Sequence, residues 1–198
     1  ASRRSGRPIE WRLGKGDVDT GSLLHARYFD LVIVSQSATR PEEFAVADGL
    51  PETIVMGSGR PAMVIPRHGR FPVVGDRVMI AWNGTREATR AVHDALPILE
   101  RAGSVTVMEV NPKTGSAPRI AGTDIATHLA RHGVKVDVSS TVADDIEIGD
   151  AILSRLADLG VDLLVMGAYG HSRLREYAFG GATRHVLRHM TVPVFMSH

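Results

Sequence analysis

From residue 76 onward, five apolar runs alternate with stretches of helical period, and this alternation restricts the chain to one architecture. The runs span residues 78–82, 105–110, 134–138, 163–166 and 192–196 and are nearly continuous in Val, Ile, Leu and Met. A strand with no polar alternate has both faces buried, which is the state of strands in a parallel sheet. Strands separated by helices therefore predict an α/β fold, with an open parallel five-stranded sheet and helices on both faces. The clearest helical stripe is Ile148, Ile152, Leu156 and Leu159, stopping at Gly160. Ala88, Val92, Leu96 and Leu99 form a second stripe, and Pro97 predicts that this helix is bent or shortened. Ile125 and Leu129 sit on a third, before Gly133, and residues 184–189 form a short fourth.

The first 67 residues are less regular but contain a copy of part of this pattern. Asp30-Leu31-Val32-Ile33-Val34 matches Asp162-Leu163-Leu164-Val165-Met166 at an offset of 132. The same offset carries Pro61 onto Pro193, Ile54-Val55 onto Val186-Leu187, and Leu24 onto Leu156. Three segments result: an incomplete copy over 1–67, a linker over 68–75 with Gly69 and Pro72, and a complete unit over 76–198. In the same register, the first two strands of the incomplete copy would lie before Ala1, the unit opening about 56 residues upstream.

Composition narrows the function. The 198 residues are 43% apolar and 23% charged, as in ordinary globular proteins, and carry a formal charge of +1. That charge offers no general attraction to nucleic acid, and Arg184 and Arg188 read as a solvated helix face. There is no cysteine, so disulfide and thiolate chemistry are excluded and a cytoplasmic setting is expected. No apolar run approaches the ~18 residues of a membrane span, and the opening Ala1-Ser2-Arg3-Arg4-Ser5 lacks a signal-peptide core. The pairs His185/His189 and His128/His132 are each four apart, but spacing ties no third ligand to either, so no metal site is expected. Trp82 is read either as a base-stacking group or as a buried strand-end residue. No Gly-x4-Gly-Lys-Ser/Thr loop and no nucleophile–base pair is present.

One motif carries chemistry. The fourth run is followed by Gly167-Ala168-Tyr169-Gly170, nine further residues, and Gly180-Gly181-Ala182-Thr183. Glycines after a strand permit positive φ and close approach of a ligand. A glycine group opening a helix presents free N–H groups and a positive dipole end to an anion. Ordinary loop glycines satisfy the same spacing, so both readings stand on spacing alone.

The pattern Gly167-x2-Gly170-x9-Gly180, flanked by Asp162-Leu163-Leu164-Val165-Met166 and Val192-Pro193-Val194, resembles the signature of the universal stress protein (UspA-like) family. His171-Ser172 and Ile80-Ala81-Trp82-Asn83-Gly84-Thr85 are similar to that family as well. The resemblance implies an adenine-nucleotide alpha-hydrolase-like sheet in the order 3-2-1-4-5, in a tandem form whose first lobe is truncated and degenerate. It implies ATP or another adenine nucleotide such as AMP, with magnesium coming with the phosphates if at all and no metal site of the protein's own. The base would lie near Ala81, Asn83 and Val110. Met166, Gly167 and Gly170 would approach ribose and phosphates, and Gly180, Gly181 and Ala182 the phosphates. Thr183 would cap the helix or offer a hydroxyl. The family has Asp at Asn83 and Ser or Thr at Gly181. These departures keep open a nucleotide-free scaffold acting through dimer or partner surfaces; a slow ATPase or autokinase is the third reading. The expectation is a stress-response binding module, not an enzyme, with neither nucleic acid nor membrane as partner. In the first lobe Ser35, Ala38 and Asp48 replace the glycines, so no nucleotide is expected there. The segments around Pro61 and Pro193 are expected to be edge strands, lying side by side and antiparallel or pairing in a homodimer.

Overall fold

The computed structural model describes residues 9–14, 16–37, 49–112, 122–143, 146–170 and 181–198. In chain order the elements are α1 (Val18–Ala26), β1 (Val32–Ser35), α2 (Leu50–Gly57), β2 (Ala62–Ile65), β3 (Arg77–Ala81), α3 (Arg86–Leu99), β4 (Ser104–Val110), α4 (Gly122–Arg131), β5 (Val136–Thr141), α5 (Ile148–Asp158), β6 (Leu163–Gly167), α6 (Gly181–His189) and β7 (Val194–Ser197). Among the described residues the strands form one sheet of seven, in the order β1-β2-β7-β6-β3-β4-β5. Every pair is parallel except β2–β7.

The sheet is therefore larger than the five strands expected, because the N-terminal strands join it. The strands after residue 76 stand as β5-β4-β3-β6-β7, and β2 adds to β7 with Ala62, Met63 and Val64 opposite Met196, Phe195 and Val194. Segments read as edge strands are thus interior strands. The apolar side chains that made Val194-Phe195-Met196 unsuitable for an open edge are covered by β2 on one side and β6 on the other. Pro61 and Pro193 sit just before β2 and β7, where no ladder N–H is needed, and their carbonyls accept from Val32 and Leu164.

Two cores cover the faces. One packs α2, α5 and α6 through Ile54, Ile152, Leu156, Val186 and Leu187 on Met79, Leu164, Val194 and Met196. The other packs α3 and α4 through Ala91, Val92, Ala95, Leu99, Ile125 and Leu129 on Ile80, Val107, Val165 and Phe195. Strand residues alternate between them, as period two requires.

Helix ends follow local chemistry. Thr85 caps α3 by accepting from the Ala88 N–H at 3.3 Å. At the other end α3 runs through Pro97 to Leu99, so it is not shortened; Pro97 forfeits the bond to the His93 carbonyl, while the Glu100 N–H still closes on Leu96. Gly133 and Gly160 take φ of +79° and +58°, and Val134 and Val161 bond back to Leu129 and Leu156. This closure explains why β5 starts at Val136 and not at 134. The strand continues to Thr141 because its polar residues lie on an edge, where apolar runs are no guide. Helix α6 begins at Gly181, three residues before the expected start.

Candidate functional site

Strands β3, β4 and β6 are parallel neighbours, so the turns after Ala81, Val110 and Gly167 emerge at one end of the sheet. The chain leaves β3 toward the face of α3 and leaves β6 toward the face of α6, which opens a crevice between the two departures. Ala81 and Met166 are direct register partners beneath it. Ala81 and Val110 are partly exposed apolar groups packed on the core beneath α5 and α6, forming a floor. Trp82 is buried on the opposite face among the residues of α3 and α4, which excludes base stacking for it.

The glycines sit close together but differ in what requires them. None of Gly167, Gly170 and Gly181 has positive φ, contrary to the conformational reason expected for them. A Cβ on Gly167 would lie 2.4 Å from the Ala88 nitrogen and 2.6 Å from the Glu87 carbonyl carbon. Gly167 is thus needed for packing β6 against the first turn of α3. A Cβ on Gly170 would lie 3.0 Å from Glu87 Oε2 and 3.3 Å from Thr85 Oγ1. At Gly181, by contrast, no atom of the described residues lies within 4 Å of the Cβ position. That open space is at the first residue of α6, where N–H groups lack helical partners. Ala182 follows it, while Gly180 and the His171-Ser172 pair lie outside the described residues, as do Ala38 and Asp48. Ser35 closes β1.

Left-handed backbone occurs instead at Gly84 (+71°) and Tyr169 (+56°). Tyr169 donates its N–H to Thr183 Oγ1 at 3.4 Å, and Thr183 is buried. Thr183 is in the third position of α6, so it caps no helix start and its hydroxyl is turned inward. Burial, reinforced by the Glu52 carboxylate and opposed by Arg184, pushes the Tyr169 phenol up to about 12.

On the β3 side, Asn83 Oδ1 accepts from the Thr85 N–H at 3.2 Å and from Thr85 Oγ1 at 2.9 Å. The acceptor expected to meet a ligand is thus holding the turn, leaving the amide nitrogen as the donor on offer. Two residues of this region are not evident from spacing. Glu87 is buried beside Gly170 and paired with Arg86 at 3.3 Å. Asn111, at φ +50°, clamps Ala143 through its Oδ1 (2.6 Å) and Nδ2 (3.1 Å), joining the ends of β4 and β5. At the opposite end of the sheet, Asp162 accepts from the N–H groups of Gly75, Asp76 and Arg77 between 2.7 and 3.2 Å and fixes the start of β3. An Asn directly after a strand was the one available signal for Asn111.

For an adenine nucleotide the fit is mixed. The apolar floor and the open helix start at Gly181 suit a base and phosphates. Glu87 places a negative group at Gly170, and Asn83 has an acceptor already used. A cleft of about 720 Å³, lined by Arg12, Asp17, His25 and Phe29 among others, lies against α1 and includes none of these residues. The histidine pairs also acquire neighbours that spacing could not reveal. His93 stands 5.1 Å from His128 between ring centroids, and His185 contacts two carboxylates of α5 and its cap. Among the described residues no helix is long and apolar enough to cross a membrane.

Comparison with known proteins agrees with this architecture. A universal stress protein of Synechocystis is 29% identical over 172 residues, covering 84% of this chain and 57% of that one. A universal stress protein from Archaeoglobus fulgidus superposes with a TM-score of 0.69 at 18% identity, over 92% of this chain and 65% of its own. A functionally unknown protein from Pseudomonas aeruginosa gives 0.61 at 14%, over 92% and 68%. At such identities the structural likeness speaks for the fold alone. The chain spans 57% of the first relative and 65% of the second, so it corresponds to part of their length. Residues 75–198, the span from β3 through β7, match the universal stress protein family pattern, and the chain belongs to that family.

Proposed function

We propose that the unit over residues 76–198 binds an adenine nucleotide, ATP or AMP, and acts as a stress-response binding module and not as an enzyme. The observation that carries this reading is the space at Gly181, which no described residue fills. It opens onto the first turn of α6, across the crevice from the apolar floor of Ala81 and Val110. Phosphates would meet the N–H groups of Gly181 and Ala182, with magnesium, where ATP brings it, on the phosphates' outer side. The base would rest on Ala81 and Val110 and receive a hydrogen bond from the Asn83 amide.

The N-terminal part is read as a degenerate, partial lobe serving as a built-in partner. Shifted by 132, β2 falls on β7, β1 on residues 164–167 of β6, α2 on residues 182–189 of α6, and α1 on residues 150–158 of α5. Met63 faces Phe195, its own counterpart at that offset, as a two-fold axis through the pair demands. This half is expected to bind no nucleotide. A cytoplasmic location remains an expectation from the lack of cysteine.

A nucleotide-free scaffold is the second reading, favoured by the Glu87 carboxylate beside Gly170. Calorimetry with ATP and AMP decides between them. The first reading expects one nucleotide per chain and at least tenfold weaker binding by Gly181→Val, whose Cβ meets no described atom but lies in the ligand's path. Equal affinity in Gly181→Val, or no binding by the parent, overturns it. Accumulation of ADP during the same incubation would point to hydrolysis instead.

A further inference from the structure

Helices α5 and α6 meet at a group of side chains that the nucleotide reading does not use. His185, in the middle of α6, has Nε2 2.8 Å from Asp150 Oδ1 and Nδ1 3.4 Å from Glu147 Oε2. One ligand atom from each of the three residues lies within 4.8 Å of the others. The carboxylates come from the start of α5: Glu147 is its N-cap residue and Asp150 is in its first turn.

The start of α5 is built at some cost to the helix. Glu147 makes no capping hydrogen bond, and its carboxylate is beside His185 instead. The second helical residue is Gly149, a poorer helix former than Ala. A Cβ there would lie 2.8 Å from Cβ, Cγ and Cδ2 of His185, so glycine is what admits the imidazole against α5. A residue that does not cap and a glycine inside the first turn are both accounted for by holding one histidine between two carboxylates. His189 follows one turn later, its ring centroid 4.6 Å from that of His185.

We propose that Glu147, Asp150 and His185 form a binding site for a divalent transition-metal ion of the zinc and cobalt class. Two carboxylates and a neutral imidazole present two negative charges, matching a divalent ion. One nitrogen and two oxygen donors favour Zn²⁺, Co²⁺, Ni²⁺ or Mn²⁺ over Ca²⁺ and Mg²⁺, which prefer all-oxygen sets. Both carboxylates are more than half exposed, so water completes the coordination and the ion exchanges with solvent. The bound ion clips α5 to α6 and fixes α6 in place. This proposal does not depend on nucleotide binding.

The test uses the full chain without a histidine tag, stripped with chelator and titrated with Co²⁺. The result expected is one Co²⁺ per chain, seen in its visible absorption, displaced by Zn²⁺ and held at least tenfold more tightly than Mg²⁺ or Ca²⁺. Asp150→Asn, Glu147→Gln and His185→Gln should each weaken it about tenfold or more. Thermal melts without metal show that the variants fold, and only the parent's midpoint should rise with Zn²⁺. His128→Ala and His132→Ala should bind as the parent does. The site is overturned by an absence of saturable binding, by unchanged affinity in the His185 and Asp150 variants, or by loss confined to the His128 and His132 variants.

Discussion

Gly167 and Gly181 belong to one motif yet answer to different forces, and a methyl group separates them. At Gly167 the methyl would press on the backbone of Ala88 and Glu87, which cannot move without shifting α3. Gly167→Ala should therefore lower stability by about 1–3 kcal/mol, as overpacking does, read as a lower midpoint in urea. Gly181→Ala should leave stability, read the same way, within about 0.5 kcal/mol of the parent. Tyr169 offers a test by pH. Its ordinary value is 10 and it is raised to about 12 in the folded chain, so the native state keeps a proton that the unfolded state loses. The resulting stability is complete below pH 10 and disappears as pH rises from 10 through 12. Tyr169→Phe should flatten the stability curve over that interval in chemical denaturation; an unchanged slope would remove the phenol from the account. At this scale the sequence marked the glycines but misassigned the reasons for them. Spacing located the glycines, while the neighbour that makes Gly167 obligatory is a backbone 79 residues earlier, at Ala88. Glu87 was passed over because a Glu in a first helical turn is ordinary, and only the fold brings it to Gly170.

Strands that lie inside the sheet were legible because burial on both faces leaves an uninterrupted apolar run. The polar residues Ser139, Ser140 and Thr141 of β5 were not, since an edge strand is free of that demand. The first turn of α6, Gly181-Ala182-Thr183, was hidden because its residues read as loop. The seam between β2 and β7 rests on Met63 and Phe195, both buried and directly opposed. Phe195→Ala should cost about 3–5 kcal/mol and Met63→Ala about 2–5. As contacting residues they should couple by about 0.5–3 kcal/mol in a double-mutant cycle. Strict additivity would argue that the seam is held elsewhere. One such tie is visible at Gln36, which donates to the carbonyls of Leu187 and Arg188 in the last turn of α6 and accepts from the Arg67 N–H.

Across the whole molecule, removing residues 1–67 would bare β7 along its full length. The remaining chain has every residue of that strand buried in the intact protein, so it should self-associate with Phe195 against Phe195. Analytical ultracentrifugation of residues 68–198 should show a dimer at micromolar concentration, and a stable monomer there would count against the two-fold reading of the seam. In the intact chain the same junction is tethered, so dilution does not loosen it. A junction made by two identical chains must place every substitution on both sides at once, whereas here each side mutates alone. Ser35 can replace a glycine on one side while Gly167 persists on the other, and the junction between Met63 and Phe195 registers neither change.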